Sequence, residues 1–261
     1  MLNLKNCSQI SINKEFLHKG KWGLSPNKNM KLSILIPVYN EKKTVLEILK
    51  RLEAVNFGCD YEIIIVDDCS TDGTTQLLES GIWSASWRIE SRIKILFQKQ
   101  NQGKGAALRR GFQEARGEII IVQDADLEYN PQDLPKLIQP ILEGQADIVY
   151  GSRFLIKQKA RYKIFYWGNR LIASLFFLFY GKKITDPWTC YKIFKKLIIQ
   201  NLKLESNGFE MELEMTAKFL RQGHKILELP ISYQSRTYAE GKKIKWIDGI
   251  KAILAIIKYR F

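Results

Sequence analysis

The stretch EIIIVQDAD, residues 118–126, places four consecutive apolar residues directly before a segment rich in carboxylates. An apolar run without polar alternation is typical of a strand buried on both faces, as in a parallel sheet covered by helices. Asp124, Asp126 and Glu128 follow where such a strand ends. Three carboxylates this close raise one another's pKa unless a positive charge neutralises them. The stretch therefore predicts a parallel α/β sheet with a cation at one of its edges.

The same pattern recurs on both sides of this stretch. Apolar runs begin at residues 32, 61, 93 and 146. Segments whose apolar residues have helical spacing lie between the runs, such as TVLEILKRLEAV at residues 44–55. Gly117 is placed to end the helix that begins near residue 104. Alternating strands and helices indicate a Rossmann-like, mostly parallel sheet with helices on both faces.

Polar side chains cluster after these apolar runs. Ligands of such sheets bind at the carboxyl ends of the strands. Polar residues follow four such ends: Asn40-Glu41, Asp67-Asp68, Asp124-Asp126 and Ser152-Arg153. Four such groups at one edge favour a binding site over four unrelated helix caps or turns. Carboxylate oxygens suit Mg²⁺ or Mn²⁺, and Mg²⁺ usually keeps coordination places for substrate phosphates. The predicted cation is therefore a divalent metal that holds a diphosphate, whereas capping of the next helix is the alternative for Asp126 and the preferred interpretation for Asp133.

Composition excludes several classes of site. The histidines are His18 and His224, which nearly excludes a zinc site or a Ser-His triad. The four cysteines are widely scattered, which favours a reducing compartment. No apolar run approaches the ~18 residues that a membrane span requires, and the first residues lack the apolar centre of a signal peptide. A cytoplasmic location is therefore expected.

The net charge of +14 is concentrated in the C-terminal part of the chain. Residues 1–150 contain 19 basic and 19 acidic side chains, whereas residues 151–261 contain 22 basic and 8 acidic ones. This asymmetry predicts an anionic partner, which could be a nucleic acid, an anionic lipid or a phosphorylated substrate. Nucleic acid is the least favoured of these, because carboxylates at four strand ends would repel a polyanion.

Six motifs, in this order, resemble family 2 glycosyltransferases of the GT-A fold: IPVYNE, VDDCSTDGT, NQGKGAALRRGF, DADLEYNP, GSRF and ELPISYQSRTYAEGKK. The sequence is most similar to the dolichol- or polyprenyl-phosphate mannosyl- and glucosyltransferases, over residues 31–247. The resemblance implies a GT-A catalytic domain at residues 31–238. A polar extension at residues 1–30, expected to be partly disordered, precedes it, and a basic loop with an amphipathic helix follows at residues 239–261.

The resemblance also implies roles for single residues. The DxD motif that holds metal and diphosphate is Asp124, Ala125 and Asp126, with Glu128 as a further metal ligand. The residues implied for the nucleoside pocket are Pro37, Tyr39, Glu41, Val66 and Asp68. Those implied to bind the phosphates are Arg153, Arg236 and Lys242. Asp186 and Glu214 are the implied catalytic carboxylates, and Cys190 stands where relatives have glycine. Gly103 and Gly105 are interpreted only as a turn and a helix start.

The implied reaction moves mannose from GDP-mannose, or glucose from UDP-glucose, to a polyprenyl phosphate with inversion at the anomeric carbon. A lipid phosphate has a second pKa near ~6 and is largely ionised at neutral pH, so it needs no strong base. The alternative acceptor is a hydroxyl group in polysaccharide or glycan synthesis. That acceptor would need a general base, for which Asp186 and Glu214 are the candidates.

Two apolar segments in the basic part of the chain, residues 163–183 and 242–261, are flanked by lysines and arginines. The second carries an apolar stripe: Trp246, Ile250, Ile253, Ile257 and Phe261. Both segments are predicted to be helices that lie in the interface of an anionic membrane, on its cytoplasmic face. Packing of these stripes against the sheet or against a second copy of the chain is the alternative, and a membrane-protein partner remains open.

Overall fold

The computed structural model describes residues 30–81, 89–156, 163–237, 241, 243 and 246–261. Its described strands form one sheet: β1 (Leu32–Val38), β2 (Tyr61–Asp67), β3 (Ile93–Phe97), β4 (Ile119–Val122), β5 (Ile148–Ser152), β6 (Lys192–Lys195) and β7 (Ile226–Pro230). Their order across the sheet is β3-β2-β1-β4-β6-β5-β7. Neighbouring strands are parallel except for β6, which is antiparallel to β4 and β5. The prediction of a mostly parallel α/β sheet is confirmed.

Helices connect and cover the strands. The described α-helices are α1 (Val45–Glu53), α2 (Thr74–Glu79), α3 (Lys104–Glu114), α4 (Leu134–Leu142), α5 (Lys163–Tyr180), α6 (Lys196–Gln200), α7 (Met211–Arg221) and α8 (Trp246–Lys258). In α1 the apolar residues Val45, Ile48, Leu49 and Leu52 recur with helical spacing, and all four are buried. All four residues of β4 are also buried. Since successive strand residues point to opposite faces, the sheet is covered on both sides there.

The short strand β6 is absent from the sequence-based prediction. Its four residues, Lys-Ile-Phe-Lys, are too few for a periodic signal, and they begin with a lysine that strands seldom bury. In the structure Lys192 is fully buried, where its ammonium donates to the carbonyl groups of Pro187 and Thr189 at 3.0 and 2.5 Å. These partners allow a charged residue to open an interior strand.

Gly117 does not end a helix, which corrects the prediction from its position. Helix α3 ends at Glu114, and the next residue, Ala115, is extended. Gly117 lies instead against the chain just before and within β1, where a Cβ atom would stand 2.6 Å from the Lys31 carbonyl oxygen. The close approach of two backbones is therefore the reason for glycine at this position.

The two segments with predicted amphipathic helices form α5 and α8. They pack on α7 in a second apolar cluster, whose buried members are Ile172, Phe176, Leu213, Ala217, Ala252, Ala255, Ile256 and Tyr259. Ile253 of the predicted stripe also contacts this cluster. None of the helices in the described ranges is both long and apolar enough to cross a membrane. The predicted extension at residues 1–30 lies, apart from Met30, outside the described residues.

Candidate active site

Four strands deliver polar residues to one edge of the sheet. In the parallel register of β1 with β2 and β4, Val38 pairs with Asp67 and Leu35 pairs with Val122, so the segments that follow emerge side by side. Strand β6 runs in the opposite direction, and the turn before it therefore reaches the same edge. The predicted residues at this edge are Glu41, Asp68, Asp124, Asp126, Glu128, Arg153, Asp186 and Arg236.

Backbone strain is concentrated at the same edge. Among the described non-glycine residues, positive φ angles occur at Asn40 (51°), Cys69 (58°) and Leu127 (63°). They follow β1, β2 and β4, respectively. A bulky side chain such as that of Leu127 rarely adopts this conformation, and residues held in such backbone regions cluster at functional sites. The strain supports a binding site at these three strand ends.

The DxD carboxylates are crowded and only partly neutralised. The Asp124 carboxylate forms an ion pair with the ammonium of Lys104, at the start of α3, with a distance of 2.7 Å between oxygen and nitrogen. Burial, followed by the neighbouring charges of Asp124 and Glu128, raises the pKa of Asp126 to about 7. Part of this shift in the pKa of Asp126 comes from the like charges of Asp124 and Glu128, whose repulsion a bound cation would relieve.

A buried chain of alternating charges lies behind Asp124. Lys104 also lies 3.0 Å from Oε1 of Glu212, and Lys192 lies 3.1 Å from Oε2 of the same residue. Burial of the Lys104 ammonium works to lower its pKa, but the nearby Asp124, Cys190 and Glu212 groups raise it well above its usual value. Lys104 therefore remains charged. We call Asp124, Lys104, Glu212 and Lys192 the buried charge chain.

Glu128 holds the segment that follows β7. Its carboxylate accepts hydrogen bonds from the hydroxyl of Tyr233 at 2.6 Å and from the backbone N–H of Arg236 at 2.7 Å, one at each oxygen. The carboxylate thus anchors Arg236 beside the DxD motif. Each oxygen accepts one protein donor here, and the role of Glu128 as a further metal ligand stays a prediction.

Arg236 connects the DxD motif to the loop after β1. Its guanidinium pairs with Glu41 at 2.7 Å and donates from Nε to the carbonyl of Asp126 at 2.5 Å. Lys243 pairs with the other oxygen of Glu41 at 2.6 Å and donates to the Tyr39 carbonyl. Glu41 therefore gathers two cations at the site. Lys242, predicted to bind phosphate, lies outside the described residues.

Arg153 and Asp186 form a buried ion pair, with the guanidinium 5.0 Å from the ring centre of Tyr233. Glu228 on β7 in turn accepts hydrogen bonds from the backbone N–H groups of Thr185 and Asp186, at 2.8 and 2.9 Å. The turn before β6 is therefore fixed from both sides. Cys190 closes this turn, and its N–H donates to the Tyr129 hydroxyl at 3.1 Å.

Neither predicted base is positioned as a free carboxylate. Both oxygens of Asp186 accept from Arg153. Glu214 is fully buried and accepts from the N–H groups of Glu205 and Ser206 at 2.9 and 2.7 Å and from Lys218. In the structure both carboxylates hold backbone segments in place, and a role for either as a base stays a prediction.

The residues predicted for the nucleoside pocket have different environments in the structure. Pro37 and Tyr39 are half-buried at the carboxyl end of β1. Val66 is instead a core residue, 1% exposed, in the part of the core covered by α3 at Gly111. The carboxylate of Asp68 accepts from Gln98 and from the backbone of Gly103, at 2.5 and 2.7 Å. Asp68 thus braces the segment before α3, and its contact with base or ribose stays a prediction.

Sequence reasoning missed Lys104, Lys192, Glu212 and Lys243. One signal could have identified Lys104. A lysine in the first turn of a helix is disfavoured by the helix dipole, which stabilises anions there. Such a residue needs another reason for its position, and the pair with Asp124 supplies one. The remaining three depend on long-range contacts that no local pattern announces.

Residues 33–202 match the family model described as Glycosyl transferase family 2. The chain belongs to glycosyl transferase family 2. The dolichol-phosphate mannosyltransferase of Pyrococcus furiosus is 31% identical over 222 residues, which cover 82% of this chain and 59% of that protein. The undecaprenyl-phosphate 4-deoxy-4-formamido-L-arabinose transferase of Edwardsiella ictaluri is 28% identical over 213 residues, covering 81% and 62%. This family 2 chain thus spans about three fifths of the length of these relatives.

Solved structures share the fold. The glucosyl-3-phosphoglycerate synthase of Mycobacterium tuberculosis, in complex with Mn²⁺, uridine diphosphate and glucosyl-3-phosphoglycerate, matches with a TM-score of 0.66 at 19% identity. The match covers 88% of this family 2 chain and 80% of the synthase. At this identity the similarity establishes the fold alone, and it confirms the expected GT-A architecture. The resemblance to polyprenyl-phosphate transferases of family 2 is confirmed by the two relatives above.

Proposed function

We propose that the chain is an inverting, metal-dependent hexosyltransferase that moves mannose or glucose from a nucleotide-diphosphate sugar to a polyprenyl phosphate. The observation that carries this proposal is the juxtaposition, at one sheet edge, of the crowded DxD carboxylates with Lys104 and Arg236. A metal diphosphate requires carboxylates that bind the dication and, beside them, cationic side chains that bind the phosphates. The names of the relatives support the polyprenyl phosphate acceptor.

The donor set fits Mg²⁺ or Mn²⁺. In the described ranges no three His, Cys, Asp or Glu side chains are grouped as a complete metal centre. A cation that keeps several coordination places for water and phosphate does not need such a centre, and a pair of hard carboxylates suffices. Asp124 and Asp126 would hold the ion, which when bound supplies Lewis-acid stabilisation of the charge that develops on the diphosphate. The Mn²⁺ in the structurally similar synthase supports this choice.

The cations of the chain itself have a defined task in this mechanism. Lys104 and Arg236 lie on either side of the DxD motif and would offset negative charge on the departing nucleoside diphosphate. Their carboxylate partners fix them before the donor binds, so little reorganisation is needed at the moment of reaction.

The contacts of the two predicted bases bear on the choice of acceptor. Asp186 and Glu214, the predicted bases, are both engaged by protein donors. A hydroxyl acceptor requires a base, whereas a phosphate acceptor is already ionised at neutral pH. The engaged state of both carboxylates therefore supports a phosphate acceptor.

The exposed face of α5 and α8 supports attachment to the surface of a membrane. Its exposed apolar residues are Ile164, Trp167, Leu171, Phe177, Leu178, Trp246, Ile247, Ile250, Leu254, Ile257 and Phe261. The opposite faces of these helices pack on α7, so the same helices are both part of the fold and apolar outside. With the basic excess of residues 151–261, this face suits an anionic leaflet, and we propose that the chain binds there on the cytoplasmic side.

The proposal is tested by offering GDP-mannose and UDP-glucose, each with Mn²⁺ or Mg²⁺ and a short polyprenyl phosphate, followed by product analysis. We expect glycosyl transfer that is lost in Asp124→Asn and in Asp126→Asn. The matched control is Asp147→Asn, which removes the charge of an exposed aspartate that pairs with Lys195 and lies before the amino end of β5, at the opposite edge of the sheet. Transfer that survives both DxD substitutions, or transfer only to a polyol or glycan, would overturn the proposal.

A further inference from the structure

The buried charge chain has no role in the mechanism beyond its first two members. Its inner half, Glu212 and Lys192, is 2% and 0% exposed, respectively. Burying charges is expensive, and well-packed apolar residues in their place are often as stable or more so. The carboxylate oxygens of Glu212 form no well-aligned hydrogen bond; their nearest cations are the two lysines. Such a buried group calls for an explanation other than stability.

Glu212 fixes the position of Lys104. Lys192 is held by the carbonyl groups of Pro187 and Thr189 and lies 4.6 Å from the ring centre of Tyr150, so it cannot move without breaking several contacts. It therefore keeps Glu212 in place, and Glu212 keeps the Lys104 ammonium 3.0 Å away. If Asp124 turned toward another partner, Lys104 would still be held by Glu212.

A fixed ammonium beside Asp124 affects a free dication and a metal diphosphate in opposite ways. It repels a dication that arrives alone, whereas it attracts the negative charge of a diphosphate that arrives with the ion. Removing the ammonium would therefore strengthen binding of the free dication and weaken binding of the metal diphosphate. Asp124, with its side chain 22% exposed, is the outer end of the buried charge chain and the point at which this effect acts.

We infer that Lys104, held by the buried Glu212–Lys192 pair, makes binding of the divalent cation at Asp124 depend on the diphosphate that accompanies it. This inference rests on the proposed function, because it takes Asp124 as a ligand of the cation. The charge of Lys104 then disfavours binding of the free ion at Asp124. The chain would stay largely metal-free until the nucleotide sugar is present.

The test is the affinity for Mn²⁺, measured by electron paramagnetic resonance of the free ion, with the protein alone and with saturating GDP or UDP. In the wild type we expect weak binding of Mn²⁺ alone and a large gain on adding the nucleotide. In Lys104→Met we expect Mn²⁺ alone to bind about tenfold more tightly than in the wild type. The increase in Mn²⁺ affinity on adding GDP or UDP should be smaller than in the wild type by a similar factor. Lys104→Arg keeps the charge and should retain the wild-type pattern.

The matched control is Lys94→Met. Lys94 also pairs with one carboxylate, that of Glu114 at 2.5 Å, but on the exposed surface of β3. We expect no change in either affinity. If Lys104→Met does not fold, Lys104→Gln keeps hydrogen-bond donors toward both carboxylates without the charge and takes its place.

Two failures can be told apart. If the wild type binds Mn²⁺ with the nucleotide, and Asp124→Asn abolishes this, but Lys104→Met binds Mn²⁺ alone no more tightly than the wild type, the inference is wrong and the proposed function stands. If the wild type binds neither GDP nor UDP with Mn²⁺ and transfers no sugar, the proposed function fails and the inference with it.

Discussion

Arg153 and Asp186 form a bidentate ion pair in which the guanidinium Nε and Nη2 atoms lie 2.7 and 2.8 Å from the two carboxylate oxygens. The backbone N–H of Arg153 donates to the same carboxylate at 3.0 Å. Asp186 is fully buried. The pair therefore joins the end of β5 to the turn before β6, and it orients an arginine that the family resemblance implies for phosphate binding.

Breaking this pair should be costly. Asp186→Asn leaves the Arg153 guanidinium buried without its counter-charge, which should lower the free energy of unfolding by about 3–5 kcal/mol. Urea unfolding followed by circular dichroism measures the loss. Glu47→Gln breaks the exposed pair with Arg51 and should cost only ~0.2–0.5 kcal/mol. Equal losses in the two variants would contradict the assignment of Asp186 as a structural partner.

Glu41 should control the order of the segment after β7. Glu41→Gln removes the charge that holds Arg236 and Lys243. We expect faster hydrogen exchange of the amides of residues 233–237 and a several-fold higher KM for the donor, since the cations lose their fixed positions. Glu143→Gln, directly after α4, serves as the control, because its carboxylate accepts from the side-chain amides of Gln139 and Gln145 and, within the described ranges, not from a cation. Unchanged exchange in Glu41→Gln would show that other contacts, such as those of Glu128, suffice.

Binding of the cation should depend on pH near neutrality. Burial, then the Asp124 and Glu128 charges, raises the pKa of Asp126 to about 7. A protonated carboxyl group is a poor metal ligand, so Mn²⁺ affinity in the presence of GDP or UDP should rise between pH 6 and pH 8, with release of a proton. Titration calorimetry in buffers of different ionisation enthalpy measures that proton. Glu128→Gln should move the midpoint to lower pH, whereas an affinity that is constant across this range would refute the prediction.

The same shift has a consequence for the metal-free protein. Between the ordinary aspartate value of 3.8 and about 7, the folded state keeps a proton on Asp126 that the unfolded state has released. The contribution of this group to stability is therefore present at low pH and is lost as the pH rises through that window. Comparing wild type with Asp126→Asn by urea unfolding at pH 5 and pH 8 isolates it: the variant should gain relative stability at the higher pH.

Gly105 should tolerate no side chain. A Cβ atom there would collide with the backbone oxygen of Ser206, because the N–H of Gly105 donates to the carbonyl of the next residue, Asn207, at 2.6 Å and holds the two segments together. Gly105→Ala should therefore lower the thermal midpoint. Gly168→Ala, in exposed α5 with open space around it, should instead stabilise by about 0.5–1 kcal/mol, because alanine favours the helix. Opposite signs in the two melting curves are the expected result.

The exposed apolar face should bind lipid. Replacing Trp167 and Trp246 together by serine removes two rings that are 67% and 80% exposed. We expect about tenfold weaker co-sedimentation with vesicles of phosphatidylglycerol and phosphatidylcholine, and further weakening in high salt. Leu197→Ser, equally exposed on α6, is the control. If the control weakens binding as much, the face formed by α5 and α8 is not the lipid-binding surface.

Periodicity was sufficient to predict the parallel sheet, and strand-end chemistry predicted which polar residues the fold brings to one edge of it. The uninterrupted apolar composition of runs such as Ile119–Val122 indicates that they are buried. Acidic residues follow such runs at the carboxyl edge of the sheet, where ligands of parallel sheets bind. Strand β6 was missed because its place depends on pairing with two strands that are distant in sequence. The fold class can be predicted because the same local pattern of strand and helix repeats along the chain. The position of one antiparallel strand between parallel strands leaves no such local pattern.

The roles of charged residues were harder to predict than their presence at the site. Glu128 and Asp68 were assigned to ligands, and the structure adds that each carboxylate accepts hydrogen bonds from another segment of the chain. Lys192 and Glu212 gave no signal, because a lysine and a glutamate that neutralise each other in the interior look like surface residues in the sequence. Partner choice across the fold decides these roles, and single-sequence patterns do not contain it.

Strand β6 returns beside β5 in the opposite direction, with Tyr150 opposite Lys192. The chain between them, residues 153–191, therefore leaves and re-enters the sheet at adjacent points. It contains α5 and the turn of Asp186, and none of its residues belongs to a strand of the seven described here. Because the pairing of β5 with β6 fixes both ends of this excursion to the sheet, its length can differ without a change in the order of the strands.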